Sequence, residues 1–383
     1  MVTSMLVTFF LSSAVVLYIY AGYPLMIFLL ARLWPKLVTR GTATPAVSVI
    51  VAAYNEEKLI EGKIRNTLAL DYPIDRLEVL IMSDGSDDGT DTIVEQFSDA
   101  RVRLIALPRS GKANALNDGA REATGDILLF TDANVELESN ALRLLVSLFD
   151  DPSVGGVSGR KKYFVRNGAD STEKGENLYW RWDQWQKHLE SLFGNLFAAD
   201  GAIYAIRREL YTPIEDAAQA DDIAISTRVV LQGRRLLFEP AAVAWEEAPV
   251  EGREEFRRKV RVTNHSVRAL LNLGPALFTS GFYSVELLSH KLVRHLIPLF
   301  LILLLVSTAF LSRGRELFLI MLLVQVLFYL LAFTGFAARR SALGRSRIFS
   351  VPYYFCLVNV AALVGILSIA RGRRVRVWSP RGV

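Results

Sequence analysis

The sequence predicts a Rossmann-like α/β domain with a mostly parallel sheet, joined to transmembrane α-helices. Three observations predict it. Short apolar strands alternate with helical stretches between Ala46 and Asp132, as in a parallel sheet with crossover helices. Three of those strands run into acids at their C-terminal ends, the edge where open α/β sheets bind ligands. One long apolar run precedes this segment and three follow it.

The apolar runs come first in the chain of 383 residues. Met1 to Ala31 carries no charge, and neither do Leu296–Leu311, Leu317–Ala338 and Ile348–Ala370. A helix crosses a bilayer with roughly 20 apolar residues. The run ending at Leu311 reaches that length by borrowing from Leu292 onward. Met1–Ala31 is too long for a signal peptide and lacks its basic start. The expected organisation is a transmembrane helix at 1–31, a water-soluble domain at 32–265 and an interfacial segment at 266–291. About three transmembrane helices at 292–370 and a basic tail at 371–383 complete it.

Charge places these parts. Lys36 and Arg40 follow the first helix, so the positive-inside rule puts the soluble domain in the cytoplasm. Arg339, Arg340, Arg345 and Arg347 between the last two helices agree. Four crossings then put the C-terminus outside, although the tail carries Arg371, Arg373, Arg374, Arg376 and Arg381. Either one run does not cross, or the tail is an exception. The net charge of +5 is mostly arginine at membrane flanks, which suits lipid headgroups rather than nucleic acid. The single Cys356 excludes a disulfide framework and a thiolate metal site. His188, His265, His290 and His295 lack zinc-ligand spacing.

Within the soluble domain, Val47–Val51 is a strand leading into the loop Ala52-Ala53-Tyr54-Asn55-Glu56-Glu57. Lys58–Leu70 has helical spacing, and Asp71-Tyr72-Pro73 turns the chain. The strand Leu77–Met82 ends at Ser83-Asp84-Gly85. Gly89–Phe97 reads as a helix, Arg101–Leu107 as a strand, and Ile127–Phe130 as a strand ending at Asp132. Asp87, Asp88 and Asp91 read as turn and helix-cap residues. Asp84 and Asp132 stand directly at strand ends. Carboxylates there suit a hard cation such as Mg²⁺ or Mn²⁺ and a phosphorylated ligand. Gly111-Lys112 opens a helix, which joins a cation to free backbone N–H groups and suits phosphate. It is not a Walker A loop.

Six segments together resemble family 2 glycosyltransferases with the GT-A fold. They are Ala52–Glu57, Ser83–Thr90, Gly111–Asn117, Thr131–Asn134, and the pair Gly201–Arg208 with Ala220–Ala224. The flanking helices resemble the membrane-bound branch of NodC-like, hyaluronan and cellulose synthases. The resemblance implies that Ala53, Tyr54 and Glu56 line the nucleotide pocket, and that Asp84 binds the uridine part. Lys112 then meets the base or diphosphate. Asp132-Ala133-Asn134 stands where the family has Asp-x-Asp, so Asp132 is the main metal-linked carboxylate and Asn134 a neutral oxygen. Asp222 matches the catalytic base of a Glu-Asp pair whose Glu is Asp221 here. Gly201, Asp221, Arg258 and Arg261 belong to the acceptor side.

One stretch departs from the pattern. Processive members carry Gln-x-x-Arg-Trp; here Arg258-Lys259-Val260-Arg261-Val262 keeps only the Arg. Arg253–Arg261 also reads as a basic amphipathic helix at the membrane surface, and both readings are compatible. Tyr179–Trp185 is aromatic-rich, with Trp182 and Trp185 on one helical face. It is either a sugar-stacking wall or a packing and interface element. Tyr283, His290, Lys291, Arg294 and His295 border an apolar run and suit lipid phosphates.

The resemblance thus implies an inverting enzyme of a bacterial inner membrane. It takes a nucleotide-sugar, read as UDP-linked, and a lipid-linked or short saccharide acceptor, with Mg²⁺ or Mn²⁺. Three alternatives stand beside it: a processive synthase that translocates its polymer, a transporter or channel with a regulatory nucleotide-binding domain, and an inactive scaffold. The apolar runs carry little buried charge, against the transporter. Asp84, Asp132 and Asp222 are all present, against the scaffold.

Overall fold

The computed structural model describes residues 1–164, 172–216, 218–247 and 252–372. The expected basic tail lies outside the described residues from position 373 onward.

Eight strands build one mixed sheet. They are β1 (Val47–Ala53), β2 (Leu77–Asp84), β3 (Val102–Leu107), β4 (Ile127–Phe130), β5 (Val135–Leu137), β6 (Val154–Phe164), β7 (Tyr204–Arg207) and β8 (Arg235–Glu247). Their order is β3-β2-β1-β4-β7-β6-β8-β5. The half containing β1 to β4 is parallel. There β1, β4 and nearly all of β2 are buried, which is why these strands read as unbroken apolar runs. Beyond β4 the sheet mixes: β7 joins β4 and β6 antiparallel, β6 and β8 pair parallel, and β5 returns antiparallel on β8.

Period-two alternation sorts the side chains onto two faces. Val47, Val49, Val51, Val79 and Ile81 pack with Ile60 and Ile64 of the helix Ile60–Leu68. Ile50, Ala52, Leu80 and Met82 meet Ala115, Leu116 and Ala120 of the helix Lys112–Glu122. Gly119 permits this second contact. A Cβ there would lie 2.7 Å from Ile50 Cγ2 and 3.1 Å from Met82 Cγ. Gly119→Val is therefore expected to destabilise the domain by about 1–3 kcal/mol through overpacking. A lowered thermal midpoint checks it; an unchanged midpoint would show that the helix shifts freely.

Register gathers the loops. Ala53 pairs with Ser83, and Ile50 with Phe130, so the chain leaves β1, β2 and β4 at one edge. Tyr54, Asp84 and Asp132 arrive there together.

Among the described residues, four helices are long and apolar enough to cross a membrane: Val2–Leu33, Phe282–Leu311, Glu316–Ala337 and Arg347–Ala370. They agree in number and approximate place with the apolar runs. The boundaries differ. His265 lies inside the helix Gly252–Leu271, and Leu292 lies well inside the continuous span from Phe282. The basic stretch 253–261 lies within the helix Gly252–Leu271. Its helix packs along the last span, with Asn264 donating to Ser368 Oγ at 2.6 Å and Thr263 close against Gly365. The domain is tied to the first span as well, where the Tyr23 hydroxyl donates to Glu190 at 2.6 Å.

Candidate functional site

Two tight turns begin the site. Asn55 has φ 54° at the end of β1, a conformation that Asn tolerates better than most residues. Its amide exchanges hydrogen bonds with Asp87, at 2.6 Å and 3.0 Å. Asp88 accepts from the Thr90 N–H at 2.9 Å and the Glu57 N–H at 3.1 Å. These acids thus close a turn and cap the helix Thr90–Glu95. Glu56 is fixed through its backbone, donating to Thr90 Oγ1 at 2.9 Å. Ala53 is fully buried at the end of β1.

Asp84 is also fully buried. Its carboxylate accepts from the Ser110 N–H at 2.7 Å and from the Gly111 N–H at 2.9 and 3.0 Å, and it pairs with Arg109. Gly111, with φ 98°, lets the chain fold back over the acid. The Arg109 guanidinium lies 3.5 Å from the centre of the Tyr54 ring. A planar cation therefore stacks on Tyr54 and binds Asp84 at the edge where the sequence placed a nucleobase. Asp84 here holds the loop that leads into Lys112.

Lys112 joins two regions of sequence. Its ammonium bridges Asp132 at 2.8 Å and Asp221 at 3.0 Å. Burial opposes its charge, but the two carboxylates outweigh burial and raise its pKa above the usual lysine range. Asp132 stays partly exposed, at 35% of its side chain. Asn134 turns its amide N–H to Glu246 at 3.2 Å. Beneath this turn, buried Lys63 donates to Thr131 Oγ1 at 2.9 Å and to the Val135 carbonyl at 2.7 Å. Burial lowers the Lys63 pKa to about 7, against the pull of Asp132.

Asp222 sits one residue along, at the start of the helix Asp221–Leu231. It accepts from the Gly201 N–H at 3.2 Å and the Ile223 N–H at 2.8 Å. Burial, then repulsion from Asp221, pushes its carboxyl up to about 6, against the attraction of Lys291. That is where a general base works near neutral pH. Asp200, beside it, goes the other way. Burial would raise it, but Lys161 at 3.2 Å and Lys187 at 3.7 Å hold it down to about 2.

Lys112, Asp132, Asp221, Asp222 and Gly201 line one cavity of about 350 Å³. Its walls continue through Arg258, Arg261 and Val262 to Tyr20, Lys291, Arg294 and Tyr354 on the membrane helices. Arg258 does not offer a free fork: its Nε bonds Glu255 at 2.7 Å and its Nη1 the Tyr163 hydroxyl at 2.5 Å. Trp185 stacks on Phe28 of the first span, and Trp182 lies beside Tyr20 and Arg294. Both serve packing. Trp180 is the indole that reaches the cavity, with Lys161 and Lys259 each 5.2 Å from its ring centre.

Among the described residues no three His, Cys, Asp or Glu side chains gather as a metal cage. Asp132 and Asn134 supply hard oxygen donors from one turn. That set fits a cation of the Mg²⁺ type, which is held by one or two carboxylates together with substrate phosphates.

Residues 48–213 match the family model described as glycosyl transferase family 2. The chain carries a family 2 glycosyltransferase domain. It is similar to the probable glycosyltransferase YdaM of Bacillus subtilis (strain 168), 32% identical over 59% of this chain and 56% of that protein. It is also similar to the poly-beta-1,6-N-acetyl-D-glucosamine synthase of Staphylococcus aureus (strain COL), 27% identical over 53% of this chain and 50% of the synthase. The chain spans about half the length of these curated relatives. A solved structure, the mannosyltransferase PcManGT from Pyrobaculum calidifontis with GDP-Man and Mn²⁺, superposes with a TM-score of 0.71. It covers 96% of this chain and 99% of its own at 24% identity, and the likeness establishes the GT-A fold.

Sequence reasoning missed Lys63, Arg109, Lys161, Lys187 and Asp200. A signal existed for two of them. Lys63 interrupts the apolar stripe Ile60, Ile64, Thr67, where a charge needs buried partners. Lys187 stands four residues after Asp183, the spacing of a helical ion pair. Arg109 carried none, because its role depends on where the loop folds.

Proposed function

We propose that this domain is an inverting transferase that moves a sugar from a nucleotide-sugar, UDP-linked, to an acceptor presented at the membrane. One observation carries the reading. Lys112 ties Asp132 to Asp221, beside Asp222, at the mouth of a cavity that runs to the membrane helices.

Tyr54, with Ala53 and Glu56, accepts the nucleotide side, and Arg109 must leave Tyr54 and Asp84 to admit a base. Lys112 and the N–H groups opening its helix face the diphosphate. Asp132 with the Asn134 oxygen would hold Mg²⁺ or Mn²⁺, which supplies Lewis-acid stabilisation of charge on the departing diphosphate. Asp222, with Asp221 and Gly201 at its side, takes the proton of the acceptor hydroxyl. The acceptor oxygen bonds the anomeric carbon as the bond to the diphosphate breaks, and the configuration inverts. Arg261 lines the acceptor side, and Arg258 shapes it through Glu255 and Tyr163. The reading puts this chemistry on the cytoplasmic face of a bacterial inner membrane, and Lys36 and Arg40 after the first span support that side.

The test is nucleotide release by the purified full chain in nanodiscs, across UDP- and GDP-sugars, with Mn²⁺ or Mg²⁺ and membrane lipid extract. Release from a UDP-sugar that rises with extract supports the reading; release from none overturns it. Similarity to a polymer synthase favours a second reading, processive synthesis. Val262, where an acceptor-stacking Trp is expected, argues for one or a few additions. Product sizing by mass spectrometry decides: single additions are expected, and a ladder of long chains without added acceptor would show processivity.

A further inference from the structure

The span Phe282–Leu311 carries three cationic or N–H-donating side chains, Lys291, Arg294 and His295, that line the same cavity as Asp222. Their state differs from that of the neighbouring cations. Lys112, Lys161 and Lys187 each bridge two carboxylates. Lys291 makes no ion pair among the described residues; it lies 5.3 Å from the Phe197 ring centre. Arg294 uses Nη1 on Asp183 at 3.1 Å, and its plane packs over Tyr179 and Trp182 at 4.7 and 4.6 Å. Its Nη2 is buried without a hydrogen-bond partner. His295 has Nδ1 3.4 Å from Thr263 Oγ1, while its buried Nε2 has no partner. In the tautomer in which the Thr263 hydroxyl donates to Nδ1, Nε2 carries the hydrogen and is a donor. Buried donors without acceptors are rare and costly.

We infer that Lys291, Arg294 and His295 form a phosphate site, and that the acceptor is a phosphorylated amphiphile. The inference rests on the proposed transferase reading for the word acceptor and deepens it. A phosphate supplies the acceptor oxygens that one ammonium, one guanidinium N–H and one imidazole N–H lack. Arg294 is already held in plane by two aromatic rings, which suits it to phosphate. The amphiphile follows from position. The three residues stand where the apolar run Leu296–Leu311 begins, and the facing wall is Tyr354, Phe355, Val358 and Ala362 of the last span. A tail leaves between these helices into lipid while the head reaches toward Asp222. A neutral saccharide chain has oxygens that accept these hydrogen bonds but no negative charge to balance Lys291 and Arg294.

The experiment measures binding to the purified full chain in nanodiscs without donor. The ligands are farnesyl phosphate, farnesol and inorganic phosphate. Farnesyl phosphate is expected to bind about tenfold or more tighter than farnesol, the scale of a charged hydrogen bond. Lys291→Gln should lose most of that difference and Lys291→Arg keep it, with Arg121→Gln, an exposed side chain, as the charge control. Lys291 has no ion pair to lose, so folding should survive, and a thermal melt verifies it. Equal binding of farnesol and farnesyl phosphate overturns the inference. So does inorganic phosphate competing as well as farnesyl phosphate, which would mark a free-anion site. Tight farnesyl phosphate binding in a protein that releases nucleotide from no donor upholds this site while the transferase reading fails.

Discussion

Asp222→Asn is expected to leave nucleotide-sugar binding intact and to lower transfer by roughly 10²–10⁴, the usual effect of losing acid–base help. The substitution keeps the size of the side chain and removes its basicity. Wild-type turnover in the variant would move the role to Asp221. The wild-type protein gives an independent check through pH. With the Asp222 carboxyl at about 6, the base is protonated below that value, so transfer should fall as the pH drops through about 6. The Asn variant should lose this limb. Stability has the opposite slope. The folded state holds this proton more tightly than the unfolded chain, whose ordinary value is 3.8. The contribution is therefore full below that value and lost as the pH rises toward 6.

Asp132→Ala is expected to abolish cation-dependent donor binding and to cost transfer at least about 10²-fold, since a Lewis-acid cation contributes several kcal/mol. The variant also removes one of the two carboxylates that hold Lys112. Chelation separates the two effects. If excess chelator reproduces the loss in the wild-type protein, Asp132 acts through the cation. Full activity in chelator would assign the diphosphate charge to Lys112 alone. Titration calorimetry of donor with and without Mn²⁺ provides the reading apart from turnover.

The parallel half of the fold was legible because its signals are local. β1, β2 and β4 are apolar runs bounded by turn residues, and burial on both faces leaves little alternation to misread. The antiparallel half was not legible. β6 and β8 find each other across the long helix Thr172–Phe193, and no short-range pattern reports such a pairing. The site divides the same way. Asp84, Lys112 and Asp132 were singled out by their places at strand ends and a helix start, and Asp222 by the family resemblance. Their partners were not, because Arg109 on Tyr54 and Lys63 under Thr131 are contacts between distant segments.

The sequence by itself determined the element types, the four apolar runs and the order of the acidic loops, since propensity, hydrophobic length and turn chemistry act over a few residues. Tertiary structure decided which charges remain available. Asp84 and Arg258 look free in sequence, yet the first is enclosed by the 109–111 loop and the second is bonded to Glu255 and Tyr163. Lys291 looks like one more charge at a membrane flank, and the fold leaves it without an ion pair in the cavity of Asp222. The same applies to protonation. Nothing in the sequence Asp221-Asp222 says that the second acid keeps its proton well above the usual carboxyl range. The answer comes from burial and from the Asp221 charge beside it. These are properties of distance in space, and only folding sets those distances.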